Sequence, residues 1–207
     1  MSGKSVTPGS SVPERQIRAA FDAQSITVYQ AYGNAIADTA LAAQSFVAPF
    51  KLSRMTWIKP SFLWMMYRSG WAEKPGQERV LAITITKEGF HWALANACLS
   101  HFDPSIHADR ETWLAQKADS PVRIQWDPER SLALDRLDHR SLQVGLSGDA
   151  VTRYVEDWIV SIEDRTDLAE ELHRLIQNGQ QGLASERLPR ERTYPLPPEL
   201  AARIGAS

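Results

Sequence analysis

Residues 51–71 read KLSRMTWIKPSFLWMMYRSGW, and this stretch decides the reading of the chain. It holds Trp57, Trp64 and Trp71, the methionines Met55, Met65 and Met66, and the cations Lys51, Arg54, Lys59 and Arg68. Pro60 suits the first position of a helix, where its missing N–H costs no hydrogen bond, and it biases Lys59 toward extended backbone. The segment therefore divides into an extended Ser53–Lys59 and a helix from Pro60 to Ser69 closed by Gly70. Phe62, Leu63, Trp64, Met65, Met66 and Tyr67 make that helix apolar nearly all round, which predicts burial on most sides. It is too short to cross a bilayer.

Along the extended part, alternation places Arg54, Thr56 and Ile58 on one face and Met55, Trp57 and Lys59 on the other. Trp57 with Lys59 could stack on a ring and hold a phosphate. The corner Lys59–Ser61 reads as an anion seat, because a helix start presents free N–H groups and a positive partial charge. The competing interpretation is plain core packing, with the tryptophans inside and the cations reaching back to water.

Working outward, Ser25–Tyr32 (SITVYQAY) and Arg79–Thr86 (RVLAITIT) read as strands, as do Val122–Asp127, Arg140–Leu146 and Ile159–Ile162. Helices are expected from Asn34 to about Gln44, over Lys87–Leu99, over 110–117, from about Asp149 to Trp158, and over Asp167–Gln177. The short spacing between 123 and 146 requires a hairpin. The expected fold is α+β: one domain over 13–180 with a mixed, mostly antiparallel sheet of about five strands and helices packed on it. Residues 1–12 read as a disordered tail and 181–207 as a Pro-rich extended tail lying on the domain. A doubly wound nucleotide fold would need a glycine-rich loop after the first strand; Gly33-Asn34 offers one glycine, so that fold is set aside.

The chain has 207 residues, 43% of them hydrophobic and 23% charged, with a formal net charge of −2. That is enough to build a core, and it provides no global basic field for a polyanion, so any such site is local. The one cysteine, Cys98, excludes an internal disulfide and a cysteine-based zinc cluster, and reads as an inert buried thiol. His101, Asp103 and His107 lie within seven residues, but Asp103-Pro104 favours a turn and no metal is expected. With no spanning segment and no signal pattern, no membrane partner is expected and the cytoplasm is the expected compartment.

The blocks IRAAFDAQSITVYQAYGNAIA, RMTWIKPSFLWMMYRSGW, QWDPERSL and RSLQVGL resemble a bacterial and fungal family known as domain of unknown function 4291. The resemblance spans about residues 13–180 and implies a single-domain cytosolic protein. It supplies no catalytic role to carry over.

The standard phosphate-loop, nucleophile-elbow and zinc-peptidase motifs are missing. What remains is a set of polar residues on strands and strand ends: Tyr29, Gln30, Arg54, Thr56, Trp57, Lys59, Gln125, Asp127, Arg140 and Gln143. Guanidinium forks suit phosphate, and Tyr29 or Trp57 suits a planar base. The expectation is a nucleotide- or nucleic-acid-handling enzyme. Its most concrete version is an ADP-ribosyl transferase using NAD, with Arg54 or Arg18 on the dinucleotide, Tyr29 or Trp57 on nicotinamide, and Glu163 at the ribose. The alternatives are a non-catalytic module for RNA, single-stranded DNA or a nucleotide, and a protein-interaction domain. The cofactor and oligomeric state stay open.

Overall fold

The structure, a computed structural model, describes residues 12–207. The tail expected over residues 1–12 thus lies, Val12 aside, outside the described residues. Strands β1 (Arg18–Ala19) and β2 (Ser25–Tyr32) lead into helix α1 (Asn34–Ala43). Next come β3 (Thr56–Ile58), α2 (Phe62–Ser69), β4 (Arg79–Thr86), α3 (Lys87–Ala95) and β5 (Ala97–Leu99). They are followed by α4 (Arg110–Asp119), β6 (Val122–Arg130), β7 (Arg136–Leu146) and α5 (Asp149–Arg153). A π-helical turn (Tyr154–Trp158) carries α5 into β8 (Ile159–Asp164), which precedes α6 (Thr166–Gln177). The chain ends with α7 (Gln181–Arg187), β9 (Arg192–Thr193) and α8 (Pro198–Ile204).

The fold is α+β in one domain, as the alternation of apolar residues predicts. The strands divide between an antiparallel sheet β2-β4-β8, a sheet β3-β7-β6-β5 and a two-stranded ribbon β1-β9. Among the strand pairs of the described residues, β5–β6 alone is parallel. The two larger sheets meet at a bridging pair. Tyr29 N–H donates to Lys59 O at 2.7 Å, and Lys59 N–H donates to Tyr29 O at 3.2 Å.

Strand β6 shows how the sequence makes a two-faced sheet. Val122, Ile124 and Trp126 are buried, while Arg123, Gln125 and Asp127 between them are partly exposed. The buried set joins Ile58, Val144, Leu99, Ile83 and Ile85 in the main core, which also takes in α1, α3 and the π turn. A smaller core gathers Phe62, Met65 and Met66 of α2 with Tyr29, Val80, Ala82, and Ala169 and Leu172 of α6. Gly89 fixes the approach of α3 to the π turn: a Cβ there would sit 2.3 Å from the Trp158 ring.

Two expectations are corrected. The helix expected over Lys87–Leu99 stops at Ala95, and Ala97–Leu99 pair with Val122–Ile124 as a strand. A three-residue apolar run fits either period, and here sheet pairing prevails. The segment 181–207 is not an extended tail. It forms α7, β9 and α8, and its Ala184, Tyr194, Leu200 and Ile204 are buried. Pro198 starts α8 and Gly205, at φ 66°, ends it, so the prolines and glycines read as loop residues are helix punctuation.

Candidate functional site

Beside the Tyr29–Lys59 pair, where β2 and β3 belong to different sheets, lies a cavity of about 680 Å³. Its walls come from the end of β2 (Gln30, Tyr32), from Arg54, Met55, Thr56, Trp57 and Lys59, from Trp64 and Arg68 of α2, from the turn Pro75–Gln77, and from Gln125, Asp127 and Gln143. The pairing register explains the last group. Gln125 faces Gln143 and Asp127 faces Ser141 across β6 and β7, so these polar side chains share the face opposite the core. The next row of that face pairs Trp57 with Gly145, and a Cβ on Gly145 would come 2.9 Å from the Trp57 ring. The glycine thus lets the indole lie across the strand. Gly145→Ala is expected to cost about 1–3 kcal/mol in urea unfolding through this overpacking and to displace Trp57. Unchanged unfolding together with unchanged tryptophan emission would show that the ring is free to give way.

Gln30 is buried at 2% exposure and ties the sheets together. Its Nε2 donates to Thr56 Oγ1 at 2.6 Å and Tyr32 Oη at 2.8 Å, while its Oε1 accepts from Tyr154 Oη at 2.8 Å. Thr56 and Tyr32 hydroxyls are themselves 2.9 Å apart. Asp127 accepts from Gln125 Nε2, at 3.1 Å to each carboxylate oxygen, and from Gln143 Nε2. Those two amides fix the carboxylate.

Lys59 is 6% exposed, and its Nζ donates to Trp57 O at 3.0 Å and sits 5.9 Å from the Trp64 ring centre. Among the described residues no carboxylate lies within ion-pair distance of it. Burial, reinforced by the Arg68 charge and only partly countered by Asp127, lowers its pKa from the usual 10.5 to about 7. Trp64 carries a second unusual group: its indole N–H is buried and has no hydrogen-bond partner among the described residues. An orphaned buried donor costs about 1–3 kcal/mol.

Of the residues expected at the site, Gln30, Arg54, Thr56, Trp57, Lys59, Gln125, Asp127 and Gln143 line this one cavity. The others lie elsewhere, and strand alternation gives the reason. Tyr29 turns to the opposite face from Gln30. With Glu163 it lines a separate hollow of about 280 Å³, where Glu163 pairs with Arg165 at 2.6 Å. Glu163 and Arg54, expected to act together, therefore do not share a hollow. Arg140 is one step out of phase with Ser141 and Gln143. It donates to Trp126 O and Glu14 and lines a third hollow with Arg15 and Asp103.

Arg18 sits near the buried Glu129 and the half-buried Glu191 carboxyls, where burial raises both pKa values and the Arg18 charge only partly offsets the rise. These acids, Glu129 and Glu191, also correct the expected anion seat at Lys59–Ser61. Glu191 accepts from Phe62 N–H at 2.7 Å, Ser61 Oγ caps Trp64 N–H, and Ser61 donates to Glu129 at 3.0 Å. The start of α2 is satisfied by the protein's own side chains. Sequence reasoning placed Trp64 and Arg68 in a core helix. Their i, i+4 spacing puts them on one face, and that was the available signal. Nothing local marks Glu191, 129 residues from Phe62.

Burial raises the Glu191 pKa to about 8, with Glu129 adding to the rise. Between about pH 4.5 and 8 the folded chain then holds more protons at this position than the unfolded chain, so its contribution to stability falls as pH rises. Glu191→Gln keeps the acceptor for Phe62 and cannot ionise. The expected outcome is near-equal stability at pH 5 and a gain on the order of 4 kcal/mol at pH 9 in guanidinium unfolding. Equal stability at both pH values would contradict this.

The profile described as "Domain of unknown function (DUF4291)" matches residues 16–194. The chain belongs to the DUF4291 family. The match takes in every element lining the cavity and Glu191, the residue before β9. None of the curated proteins matches the chain. Among the described residues, no group of three or more His, Cys, Asp or Glu side chains could hold a metal ion, and no helix is long and apolar enough to cross a membrane. Burial raises the Cys98 thiol pKa, as expected for an unreactive cysteine.

Proposed function

We propose that this DUF4291 protein binds a phosphorylated ligand carrying a planar ring, of nucleotide type, in the cavity between the two sheets, and acts on it as an enzyme. One observation carries the reading: Arg54, Lys59 and Arg68 converge with Trp57, Trp64 and Tyr32 on a single hollow. Its volume of about 680 Å³ falls within the range of small-molecule sites, which favours a nucleotide over a polymer. The arginines suit phosphate oxygens, the indoles suit a base, and the glutamine amides suit ring heteroatoms.

NAD is one such ligand. In the ADP-ribosyl version of this reading the carboxylate available to a bound ribose is Asp127, because Glu163 lies in another hollow. The lone buried thiol fits a reducing compartment, and on that ground we assign the protein to the cytoplasm.

Calorimetric titration with AMP, NAD, adenosine and inorganic phosphate tests the binding. AMP or NAD is expected to bind more tightly than adenosine or phosphate alone, with affinity falling as salt rises. Arg54→Ala is expected to weaken AMP about tenfold, the value of one charge-assisted hydrogen bond. Adenosine and AMP binding alike, or folded protein binding neither, would overturn the reading.

A further inference from the structure

We propose that Lys59 is a nucleophilic amine and that the ligand of this cavity carries an aldehyde or ketone beside its phosphate, which Lys59 captures as an imine. The inference rests on the phosphate-binding reading above and adds the reacting group.

Four features of the cavity point to it. Lys59 is enclosed, with its Nζ engaged by one acceptor, the Trp57 carbonyl oxygen. The carboxylate of the same cavity, Asp127, is committed to the amides of Gln125 and Gln143 and does not form an ion pair with the lysine. Two further cations, Arg54 and Arg68, line the hollow, so a phosphate can be seated without Lys59. Arg68 also opposes a positive charge on the lysine, as burial does. Above about pH 7 a lysine desolvated beside another cation is a weak phosphate ligand and a good nucleophile, because the neutral amine has a free electron pair.

The chemistry balances without an oxidant or reductant. The Nζ electron pair forms a bond to the carbonyl carbon while the carbon–oxygen π pair moves to oxygen. A proton passes from nitrogen to that oxygen to give the carbinolamine. The carbon–oxygen bond then breaks, the oxygen leaves as water with a further proton, and a C=N bond remains. Those protons exchange with water, to which the cavity is open.

Borohydride trapping of the purified full chain tests the proposal, with pyridoxal 5′-phosphate and glyceraldehyde 3-phosphate as probes and peptide mass spectrometry as the readout. The expected result is labelling of Lys59 at least tenfold above the exposed Lys51 and Lys74, suppressed by inorganic phosphate and weaker with unphosphorylated pyridoxal. Labelling of Lys59 should rise between pH 6 and 8 and then level, whereas that of Lys51 should keep rising toward pH 10. In Lys59→Arg, with an unchanged circular dichroism spectrum, the preferred adduct should vanish. Even labelling of all lysines, or an unlabelled Lys59, overturns the proposal. If AMP binds with salt dependence and Lys59 stays unlabelled, the imine alone fails; if AMP does not bind either, the phosphate cavity fails with it.

Discussion

Lys59→Met is expected to unfold at a higher denaturant concentration than the parent chain at pH 6 while losing most of its affinity for AMP. In the folded chain the ammonium holds its proton less tightly than in the unfolded chain, with a pKa of about 7 against 10.5. Between those values the unfolded state binds more protons, so this lysine's contribution to stability is present above about pH 10.5 and is lost as pH falls toward 7. Below pH 7 the buried charge is carried in full, and replacing it with an apolar side chain of similar length removes that cost. A net gain on the order of 2–4 kcal/mol at pH 6 follows from the size of the shift, after allowing about 1 kcal/mol for the lost bond to Trp57 O. The gain should shrink steadily toward pH 10. Affinity for AMP at pH 6 should fall about 10–100-fold, as befits a lost charged hydrogen bond. A variant less stable than the parent at pH 6 would show Lys59 to be a structural cation instead. Such a gain in stability with a loss of binding is the usual sign of a functional position.

Gln30→Leu should have the opposite effect on stability. The amide meets Thr56, Tyr32 and Tyr154, which come from both larger sheets and the π turn. A leucine fills a similar volume but leaves the Tyr154 hydroxyl buried without an acceptor. The expected loss is about 2–4 kcal/mol, the orphaned donor supplying about 1–3 kcal/mol of it. Tyr154→Phe removes that donor, so the double variant should be less destabilised than the sum of the two singles. Additive losses in urea unfolding would mean that the hydroxyl and the amide do not depend on each other.

β-branched and apolar runs marked the strands, and period-2 alternation in β6 separates its core face from its polar face, so the sheets and part of the cavity wall could be read directly. Gln125 and Gln143 announced themselves as polar residues set into apolar runs. The same alternation, applied between Gln30 and Tyr29 and between Arg140 and Ser141, also separates the residues that do not belong, but only once the direction of the cavity is known. Sequence pattern could not say that two sheets meet at Tyr29 and Lys59, because one backbone pair leaves no periodic trace. It could not reveal that Glu191, from a segment read as a tail, takes the N–H groups expected to hold an anion. Trp64 and Arg68 were hidden by an apolar composition that reads as core.

The central claim is that one cavity at the junction of the sheets grips a phosphorylated, ring-bearing ligand. A crystal structure of the protein soaked with AMP tests it most directly. The expected density places the phosphate within hydrogen-bond reach of Arg54 or Arg68 and the base against Trp57 or Trp64. Ordered AMP in the Tyr29–Glu163 hollow, with the 680 Å³ cavity holding only solvent, would contradict it.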